Sequence, residues 1–129
     1  MKTPQQVADI ARTLAVEIEK GELNPGQGSI LDDAGRPHCS IGHLMARSGG
    51  NPLGGVLRLF RAVGLYNTPR LTNAVTWVVD ANDTVSYRHR LPSMLRQLAY
   101  AIDTSRTRKE YNAAVVVRNY EEINAYGED

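Results

Sequence analysis

The sequence predicts a compact all-α single domain of five or six helices spanning residues 1–129, with one long loop near residues 21–38. Three observations carry this expectation. Prolines stand where helices should begin, at Thr3-Pro4, Thr68-Pro69 and Leu91-Pro92; a proline there forfeits no hydrogen bond and its fixed φ suits the first turn. Apolar residues then recur at three- and four-residue spacing, the signature of one buried helical face. Between them lie clusters of turn formers, Asn24-Pro25-Gly26 and Asp33-Ala34-Gly35.

The first helix is expected from Pro4 to about Lys20. Thr3 can cap it, Gln6 can return the bond as a capping box, and Gly21 can close it. Val7, Ile10, Ala11, Leu14 and Ile18 fall on one face. The loop follows, with Ser29-Ile30-Leu31 able to form a short extended piece. A short helix is expected over Ser40–Arg47, stopped by Gly49-Gly50, and another over Pro52–Val63 that buries Leu53, Val56, Leu57, Phe60 and Val63. Gly54 and Gly55 weaken the start of the latter by roughly 1 kcal/mol each relative to alanine.

A fourth helix should run from Pro69 to about Asp80 and bury Leu71, Val75 and Val78, with Trp77 and Val79 at its margins and Asn82-Asp83 breaking it. Leu91, Met94, Leu95, Leu98, Ala101 and Ile102 give the clearest amphipathic stripe, ended by Asp103-Thr104-Ser105. The remainder, Arg106 to about Tyr126, reads as a helix from its length and its Ala113-Ala114 pair, although Val115-Val116-Val117 alone could be a strand.

A chain of 129 residues accommodates one domain. No run approaches the roughly 18–20 apolar residues of a membrane span, and the first residues lack a secretory-signal pattern. The single cysteine can make no internal disulfide. A cytoplasmic setting is therefore expected. Net charge is only +1, yet unevenly distributed. Residues 1–33 hold three basic and six acidic groups, 34–109 eleven and three, and 110–129 one and five. Such blocks suit either a basic surface for a polyanion or acidic outer segments folded back on a basic middle, and the latter is the preferred reading for a nearly neutral domain.

The chemistry concentrates in Gly35-Arg36-Pro37-His38-Cys39-Ser40-Ile41-Gly42-His43-Leu44-Met45, where the only cysteine meets two of the three histidines at a helix start. Unsatisfied N–H groups and the helix dipole favour a thiolate there. His43 lies one turn beyond Cys39, and Asn82 or Asp83 could orient its imidazole if the fold brought that turn close. The plainer reading is that Cys39 is a small buried residue and that Gly42 lets a neighbouring helix approach. The spacing of His38, Cys39 and His43 matches no zinc template, so no metal centre and no cofactor are expected. Asn82-Asp83 reads first as a turn and cap, and secondly as a polar recess facing the Cys39 helix start. Arg88, Arg90, Arg96, Arg106, Arg108 and Lys109 are the candidates for nucleic-acid contact, outside any recognisable helix-turn-helix or zinc-finger pattern. His89, between two of these arginines, reads as a solvated surface residue.

The 35–44 stretch, followed by Trp77-Val78-Val79-Asp80-Ala81-Asn82-Asp83 and an amphipathic helix, resembles a family of small uncharacterised bacterial and phage proteins. These carry a Gly-Arg-x-Cys-x-x-Gly-x-Leu helix start and a later Asn-Asp turn. The resemblance covers residues 1–103, and this chain departs from it with Ser40 and His43 in place of small apolar residues. It implies a small helical domain in which Cys39 and Asn82-Asp83 are shared features, and it implies no activity. The expectation is a non-enzymatic accessory protein of a phage, mobile element or bacterium that binds a protein partner through Arg36, His38, Cys39, His43, Asn82 and Asp83, with no membrane contact. Two alternatives stand beside it: a cysteine-dependent enzyme using Cys39, His43 and Asp83, and a nucleic-acid-binding protein using the basic 88–109 region.

Overall fold

Thr3 starts the first helix as its side chains allow: the Thr3 hydroxyl accepts from the Gln6 N–H at 3.2 Å, and the Gln6 amide oxygen accepts from the Thr3 N–H at 2.8 Å. In the computed structural model, which describes residues 2–51 and 54–105, five α-helices follow one another: α1 Pro4–Glu19, α2 Ser40–Ser48, α3 Val56–Ala62, α4 Pro69–Asp83 and α5 Leu91–Asp103, with a 3₁₀ turn at Val85–Arg90 leading into α5. Among the described residues there is no strand, only an isolated antiparallel bridge between Leu31 and Pro37. Among the described residues no helix is long and apolar enough to cross a membrane.

The fold is organised by α1 and α5, which share the most extensive helix–helix interface, with α4 on the other side of α5 and α2 across α1 and α4. Alanines at 8, 11 and 15 on α1 and at 99 and 101 on α5 are buried beside Val7, Leu14, Leu91, Leu95, Leu98 and Ile102. Small residues let the two backbones approach while the leucines fill the space between. Phe60, Leu65, Leu44, Met45 and Leu71 complete the same core from α2, α3, α4 and the turn after α3. The stripe expected on the last helix is buried as read, except that Met94 is only partly covered; Ala99 belongs to the core as well.

Two boundaries differ clearly from the sequence reading. α3 starts at Val56, not Pro52, because Gly55 sits at φ +77 and the right-handed helix cannot pass through it. Leu57, expected in the core, is exposed, at 39%. α4 continues through Asn82 and Asp83 instead of breaking before them, since both side chains are engaged by distant parts of the chain and do not turn back on their own backbone. Thr84, in extended conformation, ends the helix. Val75 lies at the edge of the core, partly buried. The expected Pro52 and Leu53 start and the expected 106–126 helix lie outside the described residues.

Two ion pairs bring the acidic N-terminal segment onto the basic middle, while the acidic 110–129 segment lies outside the described residues. Glu17 pairs with Arg47 of α2, Glu19 with Arg96 of α5, and Arg12 joins Asp9 to Asp103. Arg47 holds the Glu17 carboxyl below its ordinary pKa, and Arg96 does the same for Glu19.

Candidate functional site

The loop between α1 and α2 turns back on itself as a short hairpin. Ser29-Ile30-Leu31 pairs with residues 37–39 through His38 N–H to Ile30 O at 2.9 Å and Cys39 N–H to Ser29 O at 3.2 Å. Its tip is locked by Asp32, whose Oδ1 accepts from the Ala34 and Arg36 backbones and whose Oδ2 takes the Arg36 side chain. The Arg36 backbone N–H is the largest reason that the Asp32 carboxyl is held below its ordinary pKa. Arg36 is therefore a turn-forming residue, exposed and away from the cleft described below. The His38 ring lies against Gly26, leaving no room for a side chain there, and its Nε2 is 3.2 Å from the Gln27 carbonyl oxygen.

The hairpin delivers Cys39 to the start of α2 as the N-cap. Its sulfur accepts from the Gly42 N–H at 3.4 Å and is buried. Ser40, the next residue, is fully buried, and both its N–H and its hydroxyl donate to Asn82 Oδ1 on α4, at 3.0 and 2.6 Å. Asn82 is 1% exposed, and its Nδ2 donates to the Gly26 carbonyl and to Asp83 Oδ1, each at 2.8 Å. All the hydrogen-bonding groups of this amide are thereby used, which is what a buried carboxamide requires. Asp83 Oδ1 also accepts from the Gly28 N–H at 2.9 Å. Arg88, from the 3₁₀ turn, closes the arrangement with its guanidinium on the carbonyls of Asn82 and Pro25 and on Asn24 Oδ1.

Asn82, Asp83 and Arg88 thus form a polar latch tying α4 to the 24–28 segment and to the first turn of α2. Asn82 meets the start of α2 but is buried with its hydrogen bonds filled, and the reading of Asn82-Asp83 as a simple turn does not hold, since both residues lie within α4. Gly42 does admit a close neighbour, but that neighbour is the Ile30 carbonyl of the loop, not a helix.

Beside the latch lies a cleft of about 360 Å³. Its walls are mostly apolar: Ile30 and Gly28 from the hairpin, Cys39 and Ile41 from the α2 start, Val56 from α3, and Val75 and Val79 from α4. Asn82 and Asp83 form its polar end. Asp83 Oδ2 makes no hydrogen bond among the described residues, so the cleft offers one carboxylate oxygen next to apolar walls. Val56, Val75 and Val79 were read from the sequence as helix core or margin. Nothing short-range marks them as cleft residues, because the opposing wall is contributed by residues 28–41.

The remaining candidates disperse. His43 is partly buried on the α1 side of α2, where burial, then Arg47 and His38, lower its pKa and Glu17 opposes them. Its backbone N–H donates to the Cys39 carbonyl at 3.0 Å, but its ring makes no hydrogen bond to the Cys39 sulfur among the described residues, and Asn82 and Asp83 are committed to the latch, so no oriented Cys–His pair is assembled there. No group of three or more His, Cys, Asp or Glu side chains there could hold a metal ion. The basic region does not form one free surface. Arg88 is spent on loop carbonyls, Arg96 on Glu19, and Arg90 lies over the Tyr87 ring with 5.1 Å to its centroid. Arg106, Arg108 and Lys109 lie outside the described residues.

Fold and site together define a small all-α protein with an apolar cleft closed at one end by a polar latch. Compared with protein-family models, curated proteins and solved structures, the chain has no match.

Proposed function

We propose that this chain is a small non-enzymatic binding protein, an accessory factor of phage, mobile-element or bacterial origin, that holds a protein partner by its apolar side chains. The observation that carries the reading is the α2–α4 cleft: a preformed apolar recess with one carboxylate oxygen at its end. Such a shape suits an apolar side chain whose neighbouring N–H or ammonium donates to Asp83. Clefts of this kind occur where a few polar groups fix the orientation of an apolar occupant, and here the latch keeps the walls in place without a ligand.

The thiol-enzyme alternative has less support, since the Cys39 sulfur is buried as a helix cap and lacks the partner a nucleophile needs. The nucleic-acid alternative has less support because its described arginines are already engaged. Val79 is 38% exposed and lines the cleft, so Val79→Asp should leave the fold intact and place a charge in the apolar wall. Affinity purification from the host with the parent protein and with this variant is the test. A partner retained by the parent and lost by Val79→Asp, at equal thermal stability, supports the proposal; a partner held equally by both contradicts it. Rapid thiol labelling of folded Cys39 would promote the enzyme reading instead.

A further inference from the structure

On the opposite side of α3 from the cleft's Val56 wall, two recesses meet at Arg58. The larger, about 420 Å³, is lined by Leu57, Arg58, Arg61, Leu65, Tyr66 and Asn67. The smaller, about 170 Å³, lies between the α2 C-terminus at Ser48–Asn51 and the α3 residues Arg58, Leu59 and Ala62.

The arginines there differ from every other arginine among the described residues. Arg12, Arg36, Arg47 and Arg96 are in ion pairs, Arg88 holds carbonyls, and Arg70 and Arg90 lie over the rings of Tyr100 and Tyr87. Arg58 and Arg61 have no such partner. They are exposed, three residues apart on one helix, so their guanidinium groups share a face and repel each other. An anion between them would remove that repulsion and accept forked, charge-assisted hydrogen bonds. Asn67 adds a donor, because its Oδ1 accepts from the Thr72 hydroxyl at 3.2 Å and its amide N–H groups remain available. Leu57 and Leu65 give the recess apolar walls.

A second observation is independent of charge. The Ser48 hydroxyl, in the adjoining recess, is buried and has no hydrogen-bond partner. Ser48 is 4% exposed. A buried hydroxyl without a partner is costly, and rotation of the Ser48 side chain toward the recess it lines would bring the hydroxyl to a ligand hydroxyl there.

We propose that these recesses form a second binding site, for a small phosphomonoester that also carries free hydroxyl groups. The phosphoryl group sits between Arg58 and Arg61 with Asn67 donating to it, and a hydroxyl of the ligand reaches Ser48. The chemistry is shared by sugar phosphates and nucleoside monophosphates; Tyr66 in the wall of the larger recess supplies a ring on which a base would lie.

The test is calorimetric titration of the full chain with inorganic phosphate, ribose, ribose 5-phosphate and AMP. Ribose 5-phosphate and AMP should bind more tightly than inorganic phosphate, and ribose should bind more weakly than either. Arg61→Gln should weaken every phosphorylated probe about tenfold or more, the loss of one or two charge-assisted bonds. Ser48→Ala should abolish the preference for ribose 5-phosphate over inorganic phosphate while leaving the melting temperature unchanged or higher, as expected when an unpartnered buried hydroxyl is removed. AMP binding above ribose 5-phosphate assigns the site to nucleotides, and equal binding assigns it to sugar phosphates. Equal affinity of the parent for phosphate and ribose 5-phosphate, an unchanged Arg61→Gln, or binding of duplex DNA in preference to all four probes overturns the proposal.

Discussion

The seam between α1 and α5 and the join between α4 and the hairpin loop are held by different physics. The seam is an area effect: Val7, Ala8, Ala11, Leu14 and Ala15 lie against Leu91, Leu95, Leu98, Ala99 and Ile102, all essentially inaccessible, with the ion pairs of Arg12 and Arg96 at its rim. No single bond decides it. The join rests on directed bonds from Asn82, Asp83 and Arg88 to residues 24–28 and 40. An area-held interface loses stability in proportion to the volume removed. A bond-held one loses its definition when a single buried partner is lost, and the cleft is built on the second kind.

The largest effect expected is from Leu98→Ala, which removes a fully buried side chain from the seam. It should cost roughly 2–5 kcal/mol, the lost transfer energy plus the cavity left behind. Chemical denaturation would measure it, and a loss below about 1 kcal/mol would mean that the seam relaxes or is not the organising interface. Asn82→Ala comes next. It strands the Ser40 N–H and hydroxyl and the Gly26 carbonyl away from water, a penalty of roughly 1–3 kcal/mol for each group left buried and unpaired, reduced where water can enter. The contrast sharpens if Asn82→Ala also weakens partner binding through the cleft while Leu98→Ala, at temperatures where it remains folded, does not.

Gly42→Ala should be milder, about 1–3 kcal/mol, because the added Cβ meets the Ile30 carbonyl and the hairpin must shift to admit it. It should disturb the cleft without touching the α1–α5 seam, and two-dimensional NMR shifts confined to residues 24–44 would show this. The smallest effect concerns pH. Burial lowers the folded-state pKa of His43 from its ordinary value of 6.5, and Arg47 adds to this. The unfolded chain therefore binds a proton in a range where the folded chain does not. Stability from this group is complete above about 6.5 and declines as pH falls from there to the lower folded value, after which it changes no further. His43→Gln should flatten the stability–pH curve in that window; an unchanged slope would place the titration elsewhere.

How much of this was readable in the sequence follows the same division. The α1–α5 seam is written in local periodicity: Thr3-Pro4 and Leu91-Pro92 set the starts, and the three- and four-residue recurrence of leucine and alanine sets the faces. The latch is not local. Asn82 and Asp83 are strong turn formers in isolation, and the sequence reading broke α4 before them; their bonds to Ser40, Gly26 and Gly28 span 42, 56 and 55 residues. Cys39 and Asn82-Asp83 were singled out correctly as neighbours of one helix start, whereas the role of Arg88 was hidden in a run that reads as a basic patch. His43 was placed one turn from Cys39, but one turn of separation does not decide which neighbour a ring packs against. Here the charges that act on the ring are Arg47 and Glu17. The late start of α3 was foreshadowed by Gly54-Gly55, although only the backbone angle of Gly55 shows that the helix cannot begin before it.

The central claim is that one buried amide holds the loop and the start of α2 to α4, independently of the α1–α5 seam. Amide hydrogen exchange on Asn82→Ala tests it directly. Protection at Ser40 and Gly28, and at the hairpin amides of Gly26, His38 and Cys39, should fall sharply while the amides of α1 and α5 keep their protection relative to global unfolding. If Asn82→Ala instead lowers protection evenly over all helices, or leaves Ser40 and Gly28 as protected as before, the latch is not what positions the cleft and the account fails.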